Sequence, residues 1–194
     1  MNILISFFSQ TGNTEKIAMA MRDGVSRKGH SVQIERIEDK DYGMLTEYDA
    51  IFIGSACHSR DVAEPVKDFL KHLRVGEGCV VAGFVTHATV DPTGEWTNQC
   101  FNTFSKECHA KNIPFKGYFS CLGNPSPPVE EFIHTNIIKE ETNFDKYLQL
   151  VKSHPDRTDL RHAQLFAEEV MSSRESDGVI VFFRKYLFSR DSTP

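Results

Sequence analysis

Apolar and polar residues follow two rhythms that take turns along this chain. Residues 2–8 (NILISFF) are a short apolar run rich in β-favouring side chains, which predicts a buried strand. From Thr14 onward, Ile17, Ala18, Met21 and Val25 recur at helical spacing, so a helix with one apolar face follows. Lys28-Gly29-His30 supplies its glycine stop. Residues 31–37 (SVQIERI) alternate as an edge strand does, and the charged residues 38–48 leave room for one short helix. Residues 49–55 (DAIFIGS) are dense enough in apolar side chains for the centre of a parallel sheet. Residues 56–63 read as a loop. Glu64-Pro65 then opens a helix with proline at its favoured first position, and Val66, Phe69, Leu70 and Leu73 share one face.

Residues 78–86 (GCVVAGFVT) predict a fourth strand and residues 87–94 (HATVDPTG) a loop. Trp96, Phe101, Phe104 and Cys108 mark a helix, and residues 115–122 (FKGYFSCL) a fifth strand. Strands alternating with helices at this rhythm predict an α/β fold, a doubly wound parallel sheet with helices on both faces. Asn124-Pro125-Ser126-Pro127-Pro128 is a stiff connector, and residues 129–139 and 144–151 read as short helices. Together they make a helical insertion over residues 124–153. Asp156 is a candidate cap for a closing helix with Leu160, Ala163, Ala167 and Val170 on its face. The main domain therefore spans residues 1–173. The tail, 174–194, carries Val179-Ile180-Val181-Phe182-Phe183 and then Arg184-Lys185-Tyr186-Leu187-Phe188. It is expected to dock on its own domain or on a second subunit as a homodimer; a membrane surface or a partner protein is the alternative.

The junction of the first strand and first helix, Ser9-Gln10-Thr11-Gly12-Asn13-Thr14, holds the most specific chemistry. Backbone N–H groups converge where a strand opens into a helix, and the helix N-terminus favours negative charge. No Lys or Arg lies inside the hexapeptide, so its cradle is amides plus the hydroxyls of Ser9, Thr11 and Thr14. A P-loop needs two glycines flanking four residues and then Lys-Ser/Thr, and a dinucleotide fingerprint needs three spaced glycines. Neither is here. The plain alternative is a polar turn in which Thr14 caps the helix.

Directly after a first strand, this hexapeptide resembles the FMN-phosphate loop of the flavodoxin family. Pro65-Val66-Lys67-Asp68-Phe69-Leu70 is similar to that family's helix after strand three. The resemblance implies a five-stranded sheet of order 2-1-3-4-5 with FMN at the switch between strands one and three. By its register, Ser9, Gln10, Thr11, Gly12, Asn13 and Thr14 hold the phosphate. Ala56, Cys57 and His58 on one side, and Thr86, His87, Ala88 and Thr89 on the other, flank the flavin ring. Two positions depart from the pattern: His58 stands at an aromatic position and Arg60 at a glycine position. The third loop matches in place but not in its Gly- and Tyr-rich wording.

The function this implies is FMN-dependent electron transfer in the cytoplasm with a redox partner protein that the sequence does not name. An NAD(P)H-dependent FMN or quinone reductase on the same fold is the alternative, and a non-catalytic phosphate-ester-binding module a third. An imidazolium at His58 or His87 would stabilise a reduced flavin over an oxidised one, predicting a less negative, pH-dependent potential. Ordinary solvated loop histidines are the competing reading.

Composition trims these classes further. A chain of 194 residues suits one domain with additions, and a formal net charge of −5 argues against non-specific nucleic-acid binding. Met1 leads straight into the first strand, so no signal segment is expected, and the apolar runs are far short of a membrane span. Five cysteines without framework spacing fit a reducing cytoplasm. No Cys-x5-Arg phosphatase loop starts at Cys57, because Ala63 stands six residues on. Cys100 and Cys108 lie on one predicted helix roughly 12 Å apart along its axis, too far for a disulfide within it. A zinc site would have to borrow Cys121 or another chain, so no metal is expected. Phe7-Phe8 replaces the acidic cluster that a phosphoacceptor receiver domain needs at the end of strand one.

Overall fold

The computed structural model describes residues 1–39, 44–90, 95–174 and 178–183. Its strands are, in chain order, β1 (Asn2–Phe7), β2 (Ser31–Arg36), β3 (Ala50–His58), β4 (Asp61–Val62), β5 (Val80–His87), β6 (Phe115–Leu122) and β7 (Ile180–Phe183). The helices are α1 (Asn13–Ser26), α2 (Glu64–His72), α3 (Glu95–Ala110), α4 (Pro127–Asn136), α5 (Glu141–Lys152) and α6 (Arg157–Ser172). Six strands lie parallel in the order β2-β1-β3-β5-β6-β7, while β4 folds back antiparallel on β3. Counted as parallel strands, the expected order 2-1-3-4-5 holds, and β7 extends it by one.

The sheet is apolar on both faces because its central strands alternate between two cores. Ile3, Ile5, Phe52 and Phe84 face α1 and α6, whose Ile17, Met21, Phe166 and Val170 complete one cluster. Leu4, Ile51, Ile53 and Val85 face α2 and α3, whose Val66, Phe69, Leu70 and Phe104 complete the other. Gly54, at the centre of β3, lets the rings close over it: a Cβ there would stand 2.2 Å from Phe84 Cζ and 2.9 Å from Phe7 Cβ.

Four elements differ from the sequence expectation. Residues 56–63 are not an open loop. β3 runs on to His58 and turns into β4, pairing Cys57 with Val62 and His58 with Asp61. Ser59 (φ 51°) and Arg60 (φ 73°) form the two-residue turn, both left-handed as a tight hairpin requires. No glycine or asparagine announces it, which is why the hydrophobic pattern reads as a loop.

The insertion is helical as expected, but its first helix begins at Pro127 within the connector, using proline in the first turn. Its second helix buries Phe144, Tyr147 and Val151 against Leu122. Tyr147 donates its hydroxyl to the Ala88 carbonyl at 2.9 Å, pinning the insertion to the segment after β5.

The apolar half of the tail belongs to the sheet, so the boundary at residue 173 divides one structural unit. Ile180–Phe183 pairs with Gly117–Ser120, and Phe182 packs on Phe166 at 5.8 Å. The basic-aromatic stretch 184–188 lies outside the described residues, as do residues 91–94 of the third loop. Of residues 38–48, the described part holds one 3-10 turn, Ile37–Asp39, and a bridge from Leu45 to Val75.

Asp156 does cap α6. Its carboxylate accepts from the amides of Thr158 (2.8 Å) and Asp159 (2.9 Å), while Asp159 accepts from the Asp156 amide. Among the described residues no helix is long and apolar enough to cross a membrane.

Candidate functional site

The carboxyl ends of β1, β3, β5 and β6 open on one cleft. It lies where neighbouring crossovers leave the sheet in opposite directions, the place where open α/β sheets bind ligands. Of the residues expected at a ligand, Gln10, Thr11, Asn13, Ala56, Cys57, His58, Thr86, His87 and Ala88 line it. Ser9, Gly12, Thr14 and Thr89, also expected there, are not among its lining residues.

At the first strand–helix junction Gly12 is the N-cap of α1, with φ 82°, a left-handed conformation that glycine reaches without a Cβ penalty. Thr14 does not cap the helix. Its hydroxyl is buried and meets the Thr86 hydroxyl at 2.9 Å, joining the junction to the end of β5. Ser9 Oγ accepts a long hydrogen bond (3.4 Å) from the Glu15 amide, so it ties down one of the helix's first N–H groups. Thr11 Oγ1 and the Asn124 carbonyl both accept from Asn13 Nδ2 at 2.8 Å, and Thr11 Oγ1 donates to that carbonyl at 3.4 Å.

The connector after β6 thus closes over the junction. Gly123, Asn124, Pro125, Ser126 and Val129 are cleft residues absent from the sequence expectation. The signal was available: the connector leaves the carboxyl end of a central strand, the side on which such folds bind ligands. Arg36 was also missed. It reaches from β2 to donate to the Ser9 carbonyl at 2.6 Å from behind, and Glu15 and Glu38 lie 3.5 Å and 3.3 Å from its guanidinium.

The two flanking walls differ in character. On the β3 side His58 sits on the rim with its ring edge-on to Phe8 at 5.9 Å. Burial lowers its pKa from the ordinary 6.5, so at neutral pH this imidazole carries no charge. The expected imidazolium effect of His58 therefore moves to acid pH. On the β5 side His87 Nδ1 is 3.0 Å from the Thr89 carbonyl, which fixes the ring with Nδ1–H as donor. Behind the hairpin the Arg60 guanidinium stacks 3.8 Å over the Trp96 ring, and Cys100 Sγ lies 3.6 Å from Cys57 Sγ.

Among the described residues no carboxylate lines the cleft, and the N-terminus of α1 enters it with Thr11 and Asn13 as polar neighbours. That donor set fits a phosphomonoester held by dipoles and neutral groups, and the walls at residues 56–58 and 86–88 leave a slot above it. Among the described residues, His154, Asp156 and Asp159 bring three metal-type ligand atoms within 4.8 Å, but both carboxylates are engaged in capping α6.

Fold and cleft together define a doubly wound α/β protein with an open cleft at the topological switch. The family model for the flavodoxin domain matches residues 4–168, and the chain belongs to the flavodoxin family. Among curated proteins none matches it in sequence. Solved structures resemble it in fold. The flavodoxin of Streptococcus pneumonia TIGR4 is 16% identical with a TM-score of 0.61, over 89% of this chain and 99% of that one. Oxidised Flavodoxin 2 from Bacillus cereus is 19% identical with a TM-score of 0.60, over 89% and 99%. Rubredoxin oxygen:oxidoreductase from Desulfovibrio gigas is 11% identical with a TM-score of 0.59, over 91% of this chain and 37% of that one.

Proposed function

We propose that the cleft binds FMN and that the protein carries electrons between redox partners in the cytoplasm. The observation that supports this most directly is a cleft with no carboxylate among its described lining residues, into which the N-terminus of α1 opens between two walls. In this reading the first amides of α1, with Thr11 and Asn13, hold the phosphate. The Thr14–Thr86 hydroxyl pair and Arg36 keep the junction in shape from behind. Residues 56–58 and 86–89 orient the ring and exclude water from its two faces. Bound flavin supplies the electron-transfer chemistry, and the protein supplies binding, orientation and electrostatics.

Titration of the purified protein with FMN and with riboflavin, followed by flavin fluorescence, tests the reading. FMN should bind far more tightly than riboflavin, and Asn13→Ala should narrow the gap. Equal affinity for the two, or no binding of either, would overturn it. Steady NAD(P)H oxidation with a quinone acceptor would identify a reductase in place of a carrier.

A further inference from the structure

Two thiols meet at the wall of the cleft, one in its lining and one behind it. Cys57, at the end of β3, lines the cleft and is half-buried; Cys100, on α3, is fully buried behind it. They are 43 residues apart in sequence, yet their sulfurs are 3.6 Å apart, and the Arg60 carbonyl is a second acceptor for the Cys100 thiol at the same 3.6 Å. A disulfide needs about 2.03–2.05 Å, so closing the bond requires an approach of about 1.5 Å. Cross-braces hold this juxtaposition. Asp61, in the hairpin, accepts from the Thr103 hydroxyl of α3 at 2.7 Å and pairs with Lys67 of α2 at 3.2 Å.

The two sulfurs are not equivalent. The hydrogen bond from Cys100 is the main reason the Cys57 pKa is lowered, and it outweighs the opposing effect of burial. The same contact, together with burial, pushes the Cys100 thiol up. Cys57 is therefore the more readily ionised thiol and the one solvent can reach through the cleft, and Cys100 is the thiol held in the protonated form beside it.

We propose that Cys57 and Cys100 form a redox-active dithiol that a hydroperoxide oxidises to an intramolecular disulfide at the cleft wall. In the first step the Cys57 thiolate attacks the terminal oxygen of the hydroperoxide. The O–O bond breaks, and the alkoxide leaves and is protonated to the alcohol. Cys57 is then a sulfenic acid. In the second step the Cys100 sulfur attacks Cys57, the S–O bond breaks, and hydroxide takes the Cys100 proton and departs as water. The balance is two thiols and one hydroperoxide to one disulfide, one alcohol and one water. A small dithiol reverses it by exchange, becoming the disulfide itself.

The consequence reaches the flavin site. Cys100 lies four residues after Trp96 on α3, and Cys57 lies three residues before Arg60 in the hairpin. Drawing the sulfurs together shifts both partners of the Arg60–Trp96 stack, so oxidation alters the fluorescence of the chain's single tryptophan.

The test uses the full chain, reduced, desalted and exposed to equimolar hydrogen peroxide, then unfolded and alkylated with N-ethylmaleimide. The expected result is loss of two hydrogens, alkylation of three of the five thiols, and a cross-linked peptide joining Cys57 to Cys100, all reversed by dithiothreitol. Cys100→Ser should leave Cys57 as a sulfenic acid that dimedone traps. A stable sulfenic or sulfinic acid on Cys57 in the unsubstituted protein, an intermolecular link, or a bridge to any other cysteine would overturn the proposal. Because the unsubstituted chain decides the question, a variant that fails to fold does not obscure it. The linked peptide is read with or without FMN, so a failure here is distinct from a failure of the flavin reading.

Discussion

The buried hydroxyl pair beneath the junction of β1 and α1 gives the sharpest test of how this end of the sheet is held. Thr14 and Thr86 are 1% and 5% exposed, and their Oγ1 atoms are 2.9 Å apart. Thr14→Val keeps the branched shape and removes one hydroxyl, which leaves the Thr86 hydroxyl buried without that partner. An orphaned buried polar group costs about 1–3 kcal/mol, and Thr86→Val should cost a similar amount by stranding Thr14. Replacing both partners by apolar groups of the same shape removes the orphan and is close to neutral. The double variant should therefore lose less than the sum of the single losses, with a coupling of about 1 kcal/mol or more. Urea unfolding at constant m-value measures this, and each kcal/mol should appear as about 2–4 °C in Tm for a domain of this size. Strictly additive losses would refute the idea that these hydroxyls satisfy each other. In parallel FMN titrations, Thr14→Val should weaken binding more than Thr86→Val, since Thr14 belongs to the junction itself.

Three further outcomes follow from the geometry. Gly54→Ala would put a methyl 2.2 Å from the Phe84 ring, and overpacking of this kind costs about 1–3 kcal/mol or more; thermal unfolding of Gly54→Ala alone and with Phe84→Leu should show partial rescue. Asp156→Ala removes the α6 cap and should cost about 1 kcal/mol, with faster hydrogen exchange at the Thr158 and Asp159 amides. The His58 pKa is lowered in the folded state, so the unfolded chain binds more protons below the ordinary pKa of 6.5. The contribution of His58 to stability is then present above pH 6.5 and is lost as pH falls through the folded pKa. His58→Gln should flatten that acid slope in urea midpoints measured against pH, leaving neutral pH unaffected; an unchanged slope would contradict the assigned direction. His30 is shifted the same way, so only the difference between parent and variant reports on His58.

What the sequence determines by itself is the local physics. The switch between a two-residue and a 3.6-residue hydrophobic period is written in residues such as Ile3, Ile5, Ile17 and Met21. It places the strands, the helices and the α/β class without reference to distant contacts. Asp156 announces its cap, and Gly12 in the hexapeptide at residues 9–14 announces the start of α1, because both are made by neighbours in the chain. The tertiary structure decides whatever depends on partners far apart in sequence. Thr14 looks like a cap until Thr86 arrives across the sheet. The hairpin at Ser59 and Arg60 carries no turn signal, and the paired strands impose its left-handed backbone. The tail at Ile180–Phe183 is sticky in sequence, and the open edge of β6 turns it into a strand. Cys57 and Cys100 meet, and Asn124 joins Thr11 and Asn13, only when the fold brings their elements to one end of the sheet. Hydrophobic periodicity reports which side of an element is buried, whereas a binding site is set by which elements meet.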